Sequence, residues 1–266
     1  MIMRTIEANS ITSAFTAVQE LADSWPVDIA PYFWFRGSKN AELSLKPGAY
    51  WRNGYTEHPV LLSFTQEGSI YGKVGALHEW STYYLAQHHG IPTRLLDWTE
   101  SFSASLYFAF DGWDGNTTPC IWVMHPDALN NVMIKWWGIL TPENNLPAEN
   151  WLPLKVMEKE AIQITDDGGY IYSNQYPLAI YPRRTNSRIA AQQGMFTVHG
   201  RMRESLEEIV KLQGGEVDDI FARVNLVGFD HRKILQELRT FGIRRAAIYP
   251  DMDNYVRDLQ HSYEWT

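Results

Sequence analysis

Three short stretches concentrate the residue types that hold anions and move protons. The first is Tyr32-Phe33-Trp34-Phe35-Arg36-Gly37, an aromatic run that reads as a strand and ends on an arginine and a glycine. A guanidinium in that setting suits a phosphate or a carboxylate, because its planar fork donates two parallel hydrogen bonds. Gly37 lets another backbone or a ligand come close. The plainer reading of Arg36 is a pair with a nearby acid. The second stretch, Gln87 to Thr99, packs His88, His89, Thr93, Arg94, Asp97 and Thr99 into a connecting segment. Here Arg94 and Asp97 could pair with each other, and His88 or His89 could cap the preceding helix, where an imidazolium is favoured. The third runs from Arg188 to His199: Gln192 and Gln193 precede Gly194, two amides suited to a polar ligand or a loop backbone, and His199 is available as donor or base.

A basic group, Arg183, Arg184 and Arg188 followed by Arg201 and Arg203, could meet phosphate or nucleic acid. Its plain counterpart is a solvated surface balanced by Glu204, Glu207 and Glu208. Across the 266 residues the formal net charge is −8, so the chain as a whole is not an electrostatic nucleic-acid binder. No metal site is expected. The adjacent histidines lack HExxH-like spacing, and no clustered carboxylates suggest a two-metal nuclease. The glycine-rich phosphate loops, the GxSxG elbow and the Asp-rich calcium loop are absent. The single Cys120 sits in an apolar run and reads as a packed thiol in a reducing compartment.

The elements that must position these residues follow from periodicity. Apolar residues from Ile11 to Trp25 stand at helical spacing behind Ser10, giving an amphipathic N-terminal helix over 11–25 closed by Pro26. Ser38 to Pro59 reads as loop, 69–87 as helix, Thr93 to Trp98 as a short polar segment, and Ser101 to Phe110 as a buried helix. Cys120 to Met124 is a buried strand, and Asn130 to Asn150 an excursion. Ala161 to Ile164 and Leu178 to Tyr181 look like strands. The chain then closes as strand (220–227), helix (230–241, stopped by Gly242), strand (246–249) and helix (253–260). No linker of disordered composition interrupts the chain. The expectation is one domain over 1–266, an α+β fold with a central sheet flanked by helices. Apolar stretches of five residues are far short of a membrane span, and the N-terminus lacks the run of a signal peptide, so no membrane partner and a cytoplasmic location are expected. Aromatics at 14%, with 11 Trp and 14 Tyr, leave rings to line a pocket.

Together the three stretches resemble the FRG-domain family, named for its Phe-Arg-Gly motif, here Phe35-Arg36-Gly37. The motif is followed in order by Ala86-Gln87-His88-His89-Gly90-Ile91-Pro92-Thr93-Arg94-Leu95-Leu96-Asp97-Trp98-Thr99 and Ala104-Ser105-Leu106-Tyr107-Phe108-Ala109. Later come Arg188-Ile189 with Gln192 and Gly194-Met195-Phe196, and finally Gly242-Ile243 through Ile248-Tyr249-Pro250-Asp251-Met252-Asp253. The resemblance covers about residues 30–260 and implies a bacterial or phage protein acting in phage–host conflict. It brings no settled reaction.

The order of motifs is also similar to that of the ADP-ribosyltransferase fold. There, a strand-end Arg or His holds NAD, a hydroxyl-bearing strand supports the nicotinamide ribose, and a later Glu or Gln contacts the reacting sugar. By that analogy Arg36, Arg94 and Arg188 with His89 and Thr93 would hold NAD, and Trp34 or Trp98 would stack nicotinamide. Asp97, Gln192 or Gln193, and His199 would carry the chemistry. Glutamine in place of glutamate shifts the acid's role onto Asp97. The reading is an arginine-lined, aromatic nucleotide pocket with NAD-consuming activity toward a protein or nucleic-acid acceptor. Its rivals are a non-catalytic nucleotide or nucleic-acid binding module and a protein-interaction or inhibitory factor.

Overall fold

The computed structural model describes residues 3–25, 32–71, 74, 77–142, 146–156, 162–164, 171–184 and 186–263. Its strands are β1 (Thr5–Ala8), β2 (Trp34–Ser38), β3 (Leu95–Thr99), β4 (Cys120–Met124), β5 (Ile162–Ile164), β6 (Ile171–Ser173), β7 (Leu178–Ile180), β8 (Gly194–Val198) and β9 (Phe221–Leu226). The helices are α1 (Ile11–Ser24), α2 (Glu57–Gly68), α3 (Glu79–His88), α4 (Phe102–Phe110), α5 (Pro126–Ile134), α6 (Pro153–Val156), α7 (Ser187–Ala191), α8 (Leu206–Leu212), α9 (His231–Thr240), α10 (Arg245–Ile248) and α11 (Met252–Ser262).

Seven strands form one mixed sheet in the order β1-β9-β4-β2-β3-β8-β7, and β5 and β6 pair as a separate antiparallel ribbon. Within the large sheet β1 runs parallel to β9 and the other pairs are antiparallel. Successive side chains of a strand point to opposite faces, and the strands β2, β4 and β9 feed two cores in this way. Phe35, Ile121 and Val123 pack with Val18 and Leu21 of α1, Leu106 and Phe110 of α4, and Ile234 and Leu238 of α9. Trp34, Trp98 and Trp122 pack on the other face with Trp80 and Tyr83 of α3, Leu129 of α5 and Ile209 of α8. This is the α+β architecture of a central sheet flanked by helices. Among the described residues no helix is long and apolar enough to cross a membrane.

The N-terminal helix begins as the capping signal predicts. Ser10 accepts from the Ser13 backbone N–H, and the Ser13 side chain returns the contact. Pro26 lies outside the described residues. Elsewhere several elements differ from expectation. The loop ends early, because Glu57–Gly68 is helical with only Glu57 and Leu61 buried, a stripe too thin to register as periodicity. The expected helix over 69–87 is realised as Glu79–His88; residues 72, 73, 75 and 76 lie outside the described residues. Thr93 to Trp98 contributes the buried strand β3, in which Asp97 alone faces solvent. The start of the Asn130 to Asn150 excursion belongs to α5. Asn130 is buried, accepting from the Ala179 N–H at 2.8 Å and donating to its carbonyl at 3.0 Å, a bracket on β7 rather than a turn residue. The expected strand at 246–249 is the helical turn α10, whose Ala246 N–H is held by the Asp258 carboxylate at 2.7 Å. Three apolar residues in a row cannot by themselves separate a strand from a helical turn.

Candidate functional site

The sheet opens between β2 and β3. β2 keeps register with β4 from Trp34–Met124 to Ser38–Cys120, and β3 with β8 from Leu95–Val198 to Thr99–Gly194. Between β2 and β3 themselves the pairing is Phe35–Thr99 alone. Beyond it lies a cavity of about 250 Å³, bordered by Arg36 and Gly37 on one strand and Asp97 and Trp98 on the other.

Gly37 closes the back of this opening. A Cβ there would lie 2.0 Å from the Ser105 carbonyl oxygen and 2.6 Å from the Ala109 nitrogen, so the backbone of α4 rests directly on β2. The glycine of the Phe-Arg-Gly motif therefore admits a helix. Arg36 crosses the opening. Its Nη1 donates to the Asp97 carbonyl at 2.7 Å, and the Asp97 carboxylate stands 3.9 Å away. Burial pulls the Arg36 pKa below its ordinary value while Asp97 opposes it. An arginine nonetheless remains charged at neutral pH.

Asp97 is the one charged and exposed residue of its strand, its side chain 61% exposed. The last turn of α3 holds it. Gln87 Nε2 donates to Asp97 Oδ2 at 3.0 Å, and the Gln87 oxygen accepts from the Thr93 hydroxyl. Tyr84, Gln87 and His88 stand at i, i+3 and i+4, so one helix face delivers all three to the cavity. The ring of Tyr84 stacks on Phe196 of β8, 5.1 Å apart and 7° from parallel. Burial, with Arg188 and His89 adding to it, pushes the His88 pKa down.

The remaining wall comes from α7, the start of β8 and the segment after α10. Arg188 donates to the His88 carbonyl at 3.3 Å, and its guanidinium lies 4.8 Å over the ring of Tyr249. Tyr249 is in turn anchored by a 3.1 Å hydrogen bond from its hydroxyl to Asp111. Gln192 ends α7. Its carbonyl accepts from the Thr99 hydroxyl at 2.6 Å and its Nε2 donates to the Ile248 carbonyl at 3.1 Å, so it can offer a ligand its Oε1 acceptor and the second hydrogen of Nε2. The two adjacent glutamines are thereby told apart: Gln192 borders the cavity, whereas Gln193 is exposed with a left-handed φ of 46° and turns the chain into β8.

Arg36, Asp97, Arg188 and Gln192 are thus brought together. Others from the same stretches are not. Arg94 is 4% exposed and fully engaged: Nε donates to Glu57 Oε2 at 2.7 Å, its main-chain N–H to Glu57 Oε1 at 2.6 Å, and its two terminal nitrogens to the carbonyls of His199 and Trp151. Burial opposes its charge, but Tyr83, Glu57 and Tyr50 together outweigh it and raise the Arg94 pKa. It ties α2 to the sheet and does not pair with Asp97. Thr93 is buried and reaches the site only through Gln87. His199 is fully buried, with both ring nitrogens lacking a hydrogen-bond partner, and burial followed by Arg94 pushes its pKa down to about 3. His89 is exposed beside Phe64 and lines a different cavity from the one His88 borders. Trp98 borders the cavity, yet its ring stacks on Phe221 in the core and its Nε1 donates to Thr197; Trp34 is wholly buried. Phe35 borders the cavity too, but its ring packs edge-on against Phe102 in the core, so the rings the cavity offers are those of Tyr84, Phe108, Phe196 and Tyr249.

Of the basic group only Arg188 enters the site. Arg184 pairs with Glu100 at 2.6 Å, and Arg203 lies over Tyr50. Two of the three acids meant to balance that group serve the backbone instead: Glu207 accepts from the Leu45 N–H, and Glu208 closes a capping box with Ser205. Gln87, His88 and Tyr249 carry parts of the site that residue type alone does not single out. Helical spacing from Tyr84 identifies the first two; Tyr249 is placed by the α10 turn, for which the sequence holds no such signal.

Residues 31–116 match the family model of the FRG domain. No curated protein and no solved structure matches the chain. The matched span contains Arg36, Gln87 and Asp97 and the helix seated on Gly37; Arg188, Gln192 and Tyr249 lie beyond it. The Phe-Arg-Gly strand and the segment that faces it across the opening both fall within the matched span, so what the comparison identifies is an FRG domain over residues 31–116.

Proposed function

We propose that the opening between β2 and β3 binds a nucleotide and that its chemistry is cleavage of the N-glycosidic bond of NAD, with transfer of ADP-ribose to an acceptor. The observation that carries this reading is the convergence of two guanidiniums, Arg36 and Arg188, with several aromatic rings and one carboxylate around a single cavity. Guanidiniums bind phosphate, rings take a flat base, and the carboxylate lies where a sugar between them would sit.

Each residue then has a task. Arg36 and Arg188 orient the phosphates. Asp97, held by Gln87, faces the positive charge that grows on the ribose as the bond to nicotinamide breaks and nicotinamide leaves with the electron pair. Gln192 offers its oxygen to a ribose hydroxyl. The sequence order of strand-end arginine, facing strand and later glutamine supports the analogy with ADP-ribosyltransferases, which is one of fold-level order. Consumption of NAD or modification of an acceptor is chemistry suited to phage–host conflict in a cytoplasm, the setting that the family implies.

Nicotinamide release from NAD, measured for wild type, Arg36→Ala and Asp97→Asn alongside a thermal-shift titration with NAD, tests the reading. Wild type should release nicotinamide and be stabilised by NAD. Arg36→Ala should lose both, and Asp97→Asn should keep the stabilisation but lose release. Stabilisation without release in wild type would leave a nucleotide-binding module, and the absence of both would sink the proposal.

A further inference from the structure

We infer that a second cavity adjoining the cleft receives the other half of a dinucleotide, so that the site selects dinucleoside pyrophosphates over mononucleotides. The inference rests on the nucleotide reading above. At about 250 Å³ the cleft falls below the roughly 300–1,000 Å³ usual for a whole small-molecule ligand. Beside it lies a cavity of about 370 Å³, and Tyr84, His88, Arg188 and Ile189 line both. These four form a shared wall.

The charge on that wall suits a pyrophosphate. Arg188 has no carboxylate within 4.0 Å among the described residues. One terminal nitrogen reaches the His88 carbonyl and the plane rests on Tyr249, which leaves donors of its five N–H groups unspent. His88 adds a buried Nδ1 with no hydrogen-bond partner. A dinucleotide carries its two phosphates at its centre with a nucleoside on either side. That arrangement matches a cation between two cavities.

The lining of the second cavity fits a nucleoside. Leu77, Leu85 and Ile189 offer apolar surface to a base, and Ser81, Ser187 and Asp251 offer hydrogen-bonding groups to a sugar. The Asp251 carboxylate would repel a phosphate but accepts well from ribose hydroxyls. It already accepts from the Asn254 N–H at 2.8 Å and from Asn254 Nδ2 on both oxygens at 2.9 and 2.7 Å, which hold its pKa below the usual carboxylate range and leave each oxygen further acceptor capacity for a sugar hydroxyl. The sugar therefore lies toward Asp251, and the phosphates toward Arg188.

Titration calorimetry with NAD, nicotinamide mononucleotide and AMP on wild type, Ser187→Trp, Ser81→Trp and Arg36→Ala tests the assignment. Ser187 is exposed at the start of α7, so an indole there fills the second cavity without entering a core. Ser81→Trp does the same from α3, and circular dichroism melts establish that each variant is folded. Wild type should bind NAD at least about tenfold more tightly than nicotinamide mononucleotide, a difference of about 1.4 kcal/mol. Either tryptophan should bring NAD down to the mononucleotide's affinity and leave the mononucleotide unchanged. Equal affinities in wild type, or an NAD preference that survives both tryptophans, would overturn the second cavity's role while leaving the cleft intact. Mononucleotide affinity unaffected by Arg36→Ala, or no nucleotide binding at all, would instead overturn the cleft reading itself, and this inference with it.

Discussion

Arg36 donates to the main-chain carbonyl of Asp97 at 2.7 Å, while the carboxylate of the same residue stands 3.9 Å from the guanidinium. One residue thus meets Arg36 in two ways. The neutral carbonyl fixes the direction of the cation, and the carboxylate, drawn aside by Gln87, leaves the charge incompletely answered. A guanidinium held by a neutral acceptor keeps its remaining donors for a ligand, the condition an anion site requires. The backbone contact also survives any substitution of the Asp97 side chain, so the contributions of Arg36 and Asp97 can be separated experimentally.

Arg36→Lys makes that geometry measurable. An ammonium keeps the charge but cannot hold the Asp97 carbonyl and present a planar pair of donors at once. The affinity for NAD should fall by about tenfold or more, in line with about 1.5–3 kcal/mol for a hydrogen bond to a charged group. The midpoint of urea unfolding should stay near that of wild type. Calorimetry beside a urea titration decides the matter; unchanged affinity would mean that Arg36 serves only the strand opening.

How much of this site the sequence reveals depends on whether direction follows from spacing. Arg36, Asp97 and Arg188 are evident as residue types in unusual company. The choice of His88 over His89 follows from helical spacing with Tyr84 and Gln87, once α3 is known to reach His88. Asp97 and Trp98 separate by strand alternation, which requires β3 to be read as a strand despite its central acid. Arg94 is different. Its partner Glu57 is 37 positions away, in a segment whose helical stripe is too thin to recognise, so nothing local distinguishes a ligand-binding arginine from a buried tie. Tyr249 is likewise placed by long-range packing, through Asp111.

The buried tie has its own signature. Glu57→Gln removes the charge that Arg94 faces while leaving a side chain of similar size. Breaking one partner of a buried pair costs about 3–5 kcal/mol, because the remaining charge is left without compensation. Chemical denaturation should register that loss. The folded fraction should still bind NAD as wild type does, since neither residue borders the cleft. A variant as stable as wild type would show that the Arg94 carbonyl contacts suffice.

Gly37→Ala separates the glycine of the motif from its arginine. The new methyl would fall 2.0 and 2.6 Å from main-chain atoms of α4, which cannot yield as a flexible side chain would. Overpacking of this kind costs about 1–3 kcal/mol and more when backbone must move, with a melting temperature lower by about 2–4 °C for each kcal/mol. Gly194→Ala is the control. Its nearest neighbours would lie 3.5 Å from the Cβ, an ordinary contact, so its melting temperature should change less. Equal effects would mean that the approach of α4 to β2 is looser than these distances state.

His199 makes stability depend on pH in a calculable direction. Its imidazole is sealed in the core beside Arg94, and burial and the Arg94 charge outweigh the support that the Glu204 backbone gives the protonated form. The folded chain takes up that proton only near pH 3, whereas the unfolded chain does so near pH 6.5. Between these values the unfolded state binds more protons, so stability rises with pH. The contribution is fully present above about pH 6.5 and is lost as pH falls toward 3, with a limiting slope of about 1.4 kcal/mol per unit. Carboxylates titrate in the same range, so the useful quantity is the difference between wild type and His199→Asn in urea unfolding at pH 7, 5.5 and 4.5. Wild type should lose stability faster than the variant on acidification. A difference independent of pH would show that the folded protein protonates His199 near its ordinary value, which would require water or a rearranged neighbour at a ring nitrogen. In that case the histidine could regain the proton-carrying role that its burial now denies it.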